Sequence, residues 1–107
     1  MNKQTDPLSW IQNWFYNNCN GDWEHNQNII IENLDNPGWS LTIKLEGTLL
    51  EKKPFKTVDI EKDKNNWHYC RVHQGKFEGA GGPLNLGDLL AIFKQWAESC
   101  ESKINSN

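Results

Sequence analysis

Between Ile29-Ile30-Ile31 and Trp39-Ser40-Leu41-Thr42-Ile43-Lys44-Leu45 lies Asn36-Pro37-Gly38, and this arrangement leaves the chain few folding options. A β-branched run, a turn signal and a strictly alternating run make a β-hairpin. The turn is type II in form: proline presets φ at the second position, and glycine takes the positive φ at the third. The alternation sends the odd positions Trp39, Leu41, Ile43 and Leu45 inward. Two registers compete. A bare four-residue turn sets Glu32 opposite Ile43, on the core face. A five-residue loop sets Ile31 there, which buries better, and is the expected arrangement.

The flanking sequence supplies two helices and more strands. Asp6 is placed to cap a first helix with Pro7 at its first position. Leu8, Ile11, Trp14 and Phe15 then form one apolar face, and Asn17, Asn18, Asn20 and Gly21 end it. Gly47 breaks the ladder before Thr48-Leu49-Leu50, and Pro54 confines its surroundings to an edge or loop. Thr57–Glu61 and Trp67–Val72 read as strands, joined by a turn at Asp63-Lys64-Asn65-Asn66. Gln74-Gly75 leads to a short segment around Phe77. Gly79-Ala80-Gly81-Gly82-Pro83 reads as a flexible connection. Asn85 caps the last helix, with Asp88 completing a capping-box variant. The apolar face of that helix is Leu86, Leu89, Leu90, Phe93, Trp96, Ala97 and Cys100. A polar tail from about residue 103 is expected to fray.

Two amphipathic helices need a shared apolar surface, and one face of a sheet provides it. The expected fold is α+β: an antiparallel sheet of four to five strands, with an N-terminal and a C-terminal helix packed on one face. The 107 residues make a single domain, in which the six tryptophans supply much of the buried area.

The net charge of −3 argues against a nucleic-acid binder. The imbalance is local. Residues 1–45 hold Asp6, Asp22, Glu24, Glu32 and Asp35 against Lys3 and Lys44, whereas residues 46–107 balance nine acids with nine bases. An acidic face suits a basic partner. Cys19, Cys70 and Cys100 are odd in number and lack CxxC spacing, which disfavours a disulfide scaffold or zinc ribbon and fits reduced thiols. Met1–Asp6 lacks the apolar core of a signal peptide, and no apolar run approaches a membrane span. A cytoplasmic protein that contacts neither membrane nor nucleic acid is expected.

The chemistry-bearing residues crowd into Cys19-Asn20-Gly21-Asp22-Trp23-Glu24-His25. Cys19 and His25 could pair as an activated thiol, but nothing supplies an orienting third group. Asp22, Glu24 and His25 could ligate a metal, yet neighbours on an extended segment point to opposite faces. No metal, cofactor or catalytic residue is expected. Gly79–Gly82 before a helix lacks the lysine of a phosphate loop, and Asp88 would repel a phosphate there. Trp23 and Trp39 could stack on a ligand, anchor a partner or cap the core.

Taken together, Trp10-Ile11-Gln12-Asn13-Trp14-Phe15, the Cys19–His25 block, Leu34-Asp35-Asn36-Pro37-Gly38-Trp39, Leu45-Glu46-Gly47-Thr48 and Gly81-Gly82-Pro83-Leu84-Asn85-Leu86 give the chain a family likeness. It resembles the immunity protein 53 family of bacterial polymorphic toxin systems over roughly residues 10 to 97. The resemblance implies a small cytoplasmic protein that binds and neutralises a cognate toxin domain, and it carries over no catalytic residue. The binding surface expected from the acidic segment comprises Asp22, Trp23, Glu24, His25, Glu32 and Asp35, with Trp23 as anchor. Asn36, Pro37, Gly38 and Trp39 are architecture. The alternatives are a small thiol enzyme or sulfur carrier using Cys19, and a Trp-lined small-ligand binder.

Overall fold

The computed structural model describes residues 6–105. The elements run α1 (Pro7–Asn18), a 3-10 turn (Trp23–His25), β1 (Ile29–Leu34), β2 (Gly38–Lys44), β3 (Val58–Asp63), β4 (Asn66–His73), β5 (Lys76–Gly81) and α2 (Leu86–Asn105). The strands form one antiparallel sheet in the order β1-β2-β5-β4-β3. The α+β reading therefore holds, with five strands. The last strand in sequence, β5, is the middle of the sheet.

The helix starts follow the local chemistry. Asp6 accepts the Ser9 amide at 2.9 Å and its hydroxyl at 3.0 Å. These bonds hold the Asp6 carboxyl below its usual range. Asn85 acts differently from an ordinary capping box. Its side chain donates to Asp88 at 2.8 Å and to Asn66 at 3.1 Å, and its carbonyl oxygen accepts the Trp67 amide at 3.4 Å. The residue that begins α2 thus also ties it to β4. The helix continues through Asn105, past the point where fraying was expected, while Ser106 and Asn107 lie outside the described residues.

The core-facing side of the sheet carries Leu41 and Ile43 from β2, Phe77 from β5 and Cys70 from β4, all fully buried. Onto it α2 lays Leu89, Phe93, Trp96 and Ala97. The first helix packs against α2 through Trp10, Ile11 and Trp14; Leu8, expected on that face, is 57% exposed. Helix α1 turns its Trp10 side inward, which swings Leu8 to solvent.

Two expectations in the sheet need correction. The hairpin pairs Ile29 with Ile43, Ile31 with Leu41 and Leu34 with Gly38, leaving only Asp35-Asn36-Pro37 as the loop. The expected face for Ile31 is right, because cross-strand partners share a face, but the register is two residues away from the favoured one. Nor is the turn type II. The Asn36–Pro37 peptide is cis, and Gly38 is the first residue of β2, without a positive φ. Gly38 is small for another reason: a Cβ there would run into the Gly81 carbonyl of β5.

The second correction concerns Gly79-Ala80-Gly81, which is not a flexible connection but the end of β5. Glycine there permits close packing. A Cβ on Gly79 would lie 3.3 Å from Leu89 and 3.4 Å from the Cys70 sulfur, and one on Gly81 would lie 3.1 Å from both Asn85 and the Trp67 carbonyl. Bare backbone lets α2 descend onto the central strand.

Gly38→Ala should therefore cost about 1–3 kcal/mol through overpacking against a backbone atom. Gly87→Ala, whose Cβ would meet nothing within 4 Å, should gain roughly 0.4–1 kcal/mol from reduced unfolded-state entropy. Urea titration reads both, and an unchanged midpoint for Gly38→Ala would refute the close-approach account.

Candidate functional site

The Cys19–His25 block folds into a tight loop that closes on itself. Asn20 accepts the amides of Asp22 at 3.0 Å and Trp23 at 2.9 Å through its side-chain oxygen, so it caps the 3-10 turn. Glu24 reaches back and accepts the amides of Asn20 and Gly21, both at 2.8 Å. Its carboxyl is held below the ordinary glutamate range by its own backbone amide, by those of Asn20 and Gly21 and by the neighbouring His25 charge, against partial desolvation. Glu24 is thus occupied in building the loop.

Trp23 is buried, at 7% exposure. Its ring meets Trp14 at 5.9 Å and Phe15 at 5.5 Å, and its indole N–H donates to the Glu46 carbonyl at 3.2 Å. A side chain in this position supports the loop from below instead of projecting from it as an anchor. Gly47, at φ 84°, is where the next loop passes over it; a Cβ there would lie 3.2 Å from the indole. Asn28, buried at 5%, donates to the Trp23 carbonyl and holds the loop against the start of β1.

Of the other expected surface residues, Asp22, His25, Glu32 and Asp35 are exposed. They do not converge. Asp22 precedes the 3-10 turn and His25 is its last residue, Glu32 lies within β1 on the face away from the helices, and Asp35 sits in the turn that leaves it. In chain order they precede, occupy and follow β1. Among the described residues no three His, Cys, Asp or Glu side chains gather to hold a metal ion. In the architectural set, Trp39 is partly buried against the core and donates its indole N–H to the Pro83 carbonyl at 3.0 Å.

Beside the loop is an open groove of about 340 Å³, lined by Asn20, Asp22, Trp23, Asn26, Asn28, Lys44, Glu46 and Gly47. Neither Asp22 nor Glu46 forms an ion pair among the described residues. Such a rim can receive a cationic or amide-bearing side chain. Asn28, Lys44 and Glu46 escaped the sequence reading. The signal for Asn28 was an amide immediately before a β-branched run; Lys44 and Glu46 carry none, because only folding brings them beside Asp22.

Cys19 gives no sign of activation. Its thiol donates to the Phe15 carbonyl at 3.3 Å, and desolvation first, then the Glu24 charge, push its pKa up. A nucleophilic cysteine needs the opposite shift. Burial pushes the Cys70 thiol up to about 12. The Trp23 ring is covered and its N–H taken, which leaves it no face for stacking on a small ligand.

These residues sit on a small α+β domain with one open polar groove beside the Asn20–Asn28 loop. The family profile of immunity protein 53 matches residues 8–98, and the chain belongs to that family. No curated protein and no solved structure matches the chain. No helix among the described residues is long and apolar enough to cross a membrane.

Two measurements test this account. The lowered Glu24 value means that its stabilisation is complete above the ordinary glutamate value of 4.5 and is lost as pH falls through the lowered folded value. The stability gap between wild type and Glu24→Gln should stay constant from neutral pH down to near the ordinary glutamate value of 4.5 and close as the pH falls through the lowered folded value. A gap independent of pH would show that the charge is not involved. Separately, iodoacetamide should modify Cys19 more slowly than free cysteine at neutral pH; a faster rate would restore the thiol-enzyme reading.

Proposed function

We propose that this chain binds a cognate toxin domain directly and neutralises it in the bacterial cytoplasm, as the immunity component of a polymorphic toxin system. The observation that carries the reading is the family match over residues 8–98. The surface chemistry supports it. The exposed Asp22, His25, Glu32 and Asp35 lie along β1 and its two flanking turns, in the part of the chain that holds the whole charge excess. A toxin that handles an anionic substrate presents a basic surface, and a matched acidic face speeds encounter with it.

In this reading the protein acts by occupancy and catalyses nothing. Asp22 and Asp35 supply field and hydrogen-bond acceptors, with Glu32 between them on the sheet. Trp23 and Glu24 contribute indirectly, by fixing the loop that presents Asp22 and His25.

Co-expression with its cognate toxin domain should restore growth of the host, and failure to do so sinks the proposal. The variant Asp22→Lys/Asp35→Lys changes two exposed carboxylates that make no side-chain hydrogen bond among the described residues. It should slow association with the toxin by roughly tenfold at low salt and flatten the salt dependence. Unchanged kinetics in a folded double variant would remove the electrostatic part of the argument.

A further inference from the structure

The two edges of the sheet are built differently. The β3 edge, Val58–Asp63, has charged side chains at Asp59, Glu61, Lys62 and Asp63 and an irregularity between Glu61 and Asp63. Charges and bulges are the usual means of keeping an edge from pairing with another chain. The β1 edge, Ile29–Leu34, has neither bulge, lysine nor proline, and three consecutive isoleucines begin it. Ile31 is 43% exposed on the helix-bearing side, although its ladder partner Leu41 is fully buried.

The phase of the ladder fixes which backbone groups this edge offers. The Lys44 amide donates to the Asn28 carbonyl at 2.8 Å, so residues 28 and 44 form a hydrogen-bonded pair. In an antiparallel ladder such pairs alternate with pairs whose groups face away. Asn28, Ile30, Glu32 and Leu34 therefore turn their backbone groups toward β2, while Ile29, Ile31 and Asn33 turn theirs outward. Among the described residues nothing bonds those outward groups.

We infer that β1 is a docking strand, which receives an extended segment of the toxin as a sixth strand of the sheet. The inference rests on the immunity reading and adds to it the mode of contact. Strand addition draws affinity from main-chain hydrogen bonds and specificity from alternate side chains. A β-branched residue opposite Ile31 would cover its exposed side, and a lysine or arginine opposite Glu32 would pair with its carboxylate on the open face. The incoming strand therefore alternates β-branched and basic residues.

A second copy of this chain fits less well. Outward groups occur only at odd positions, so an antiparallel β1–β1 pairing must match odd with odd. The register centred on Glu32 sets two like charges directly opposite, and the one centred on Ile31 sets Glu32 against Ile30. Neither supplies the cation that Glu32 calls for.

The test uses the intact ¹⁵N-labelled chain and a capped peptide of alternating lysine and valine, read by amide hydrogen exchange. Exchange at Ile29, Ile31 and Asn33 should slow by about tenfold or more, with Ile30 and Glu32 unchanged. A peptide alternating glutamate and valine should have no effect. Ile31→Pro deletes an outward N–H, the one place where an edge strand accepts proline; it should abolish peptide protection and keep the β2 ladder. Protection at Asp59–Asp63 instead, or at no alternating set, overturns the inference. So does a toxin complex that leaves Ile29, Ile31 and Asn33 unprotected, although neutralisation itself would then stand. A toxin that does not bind at all overturns the immunity reading and the occupant named here. A dimer that Ile31→Pro dissolves identifies a second copy as the occupant and also overturns the inference.

Discussion

Everything in this fold leans on the meeting of Phe77 and Phe93. Both rings are fully buried and their centroids lie 5.1 Å apart, one from the central strand and one from α2. From that pair the aromatic contacts spread in both directions. Phe55 and Trp96 extend them toward the loop before β3, and Trp14 and Trp23 extend them past α1 to the 3-10 turn. Edge-to-face packing of this kind adds about 0.5–1.5 kcal/mol per pair beyond area burial. The helices, the sheet and two irregular loops thereby share one continuous cluster.

The same rings also organise the loops. Three tryptophans donate their indole N–H to backbone carbonyls of irregular segments: Trp23 to Glu46, Trp39 to Pro83 and Trp96 to Pro54. Each ring body lies against the core while its polar edge satisfies a carbonyl that regular structure does not. The loops around the groove are therefore positioned by the core, and their exposed groups are presented on a fixed frame. This explains why the most chemically suggestive block of the sequence is mostly internal wiring. In Asn20–Asn28, Asn20, Trp23, Glu24 and Asn28 are all consumed in holding the segment together.

What could be read from the sequence was what depends on neighbours in sequence. The Asp6 cap, the inward series Trp39–Leu45, strand β4 and the apolar face of α2 are local patterns, and each is present, whereas the side chain of Asn85, expected as a cap, is turned to Asn66, Trp67 and Asp88. What could not be read depends on distant neighbours. The glycines of β5 resemble a flexible linker until Leu89 and Asn85 are seen to pack where their side chains would be. Gly38 resembles a turn glycine until Gly81 lies across from it. Trp23 could have faced either way, and Gly47, 24 positions later, provides the space that buries it. The groove combines Asp22 with Lys44 and Glu46, residues that only the pairing of β1 with β2 brings close.

The residues left over after these structural roles are few, and their arrangement is informative. Helix α2 covers β2, β5 and β4 on one face, and α1 packs on α2, so neither helix shields the outer edge of β1. On β3 the other edge is blunted by its own charges. Of the exposed acids left over, Asp22, Glu32 and Asp35 belong to β1 or to the segments on either side of it, and Glu46 follows β2. Two independent features thus meet around one strand: an unprotected hydrogen-bonding edge, and exposed carboxylates at Glu32 on it and at Asp22 and Asp35 in the segments before and after it. Long-range charge can steer a basic partner toward that strand, and only the short-range ladder can fix its register. A surface of this kind needs no deep cavity to be selective, because alternation of side chains along the added strand does the selecting.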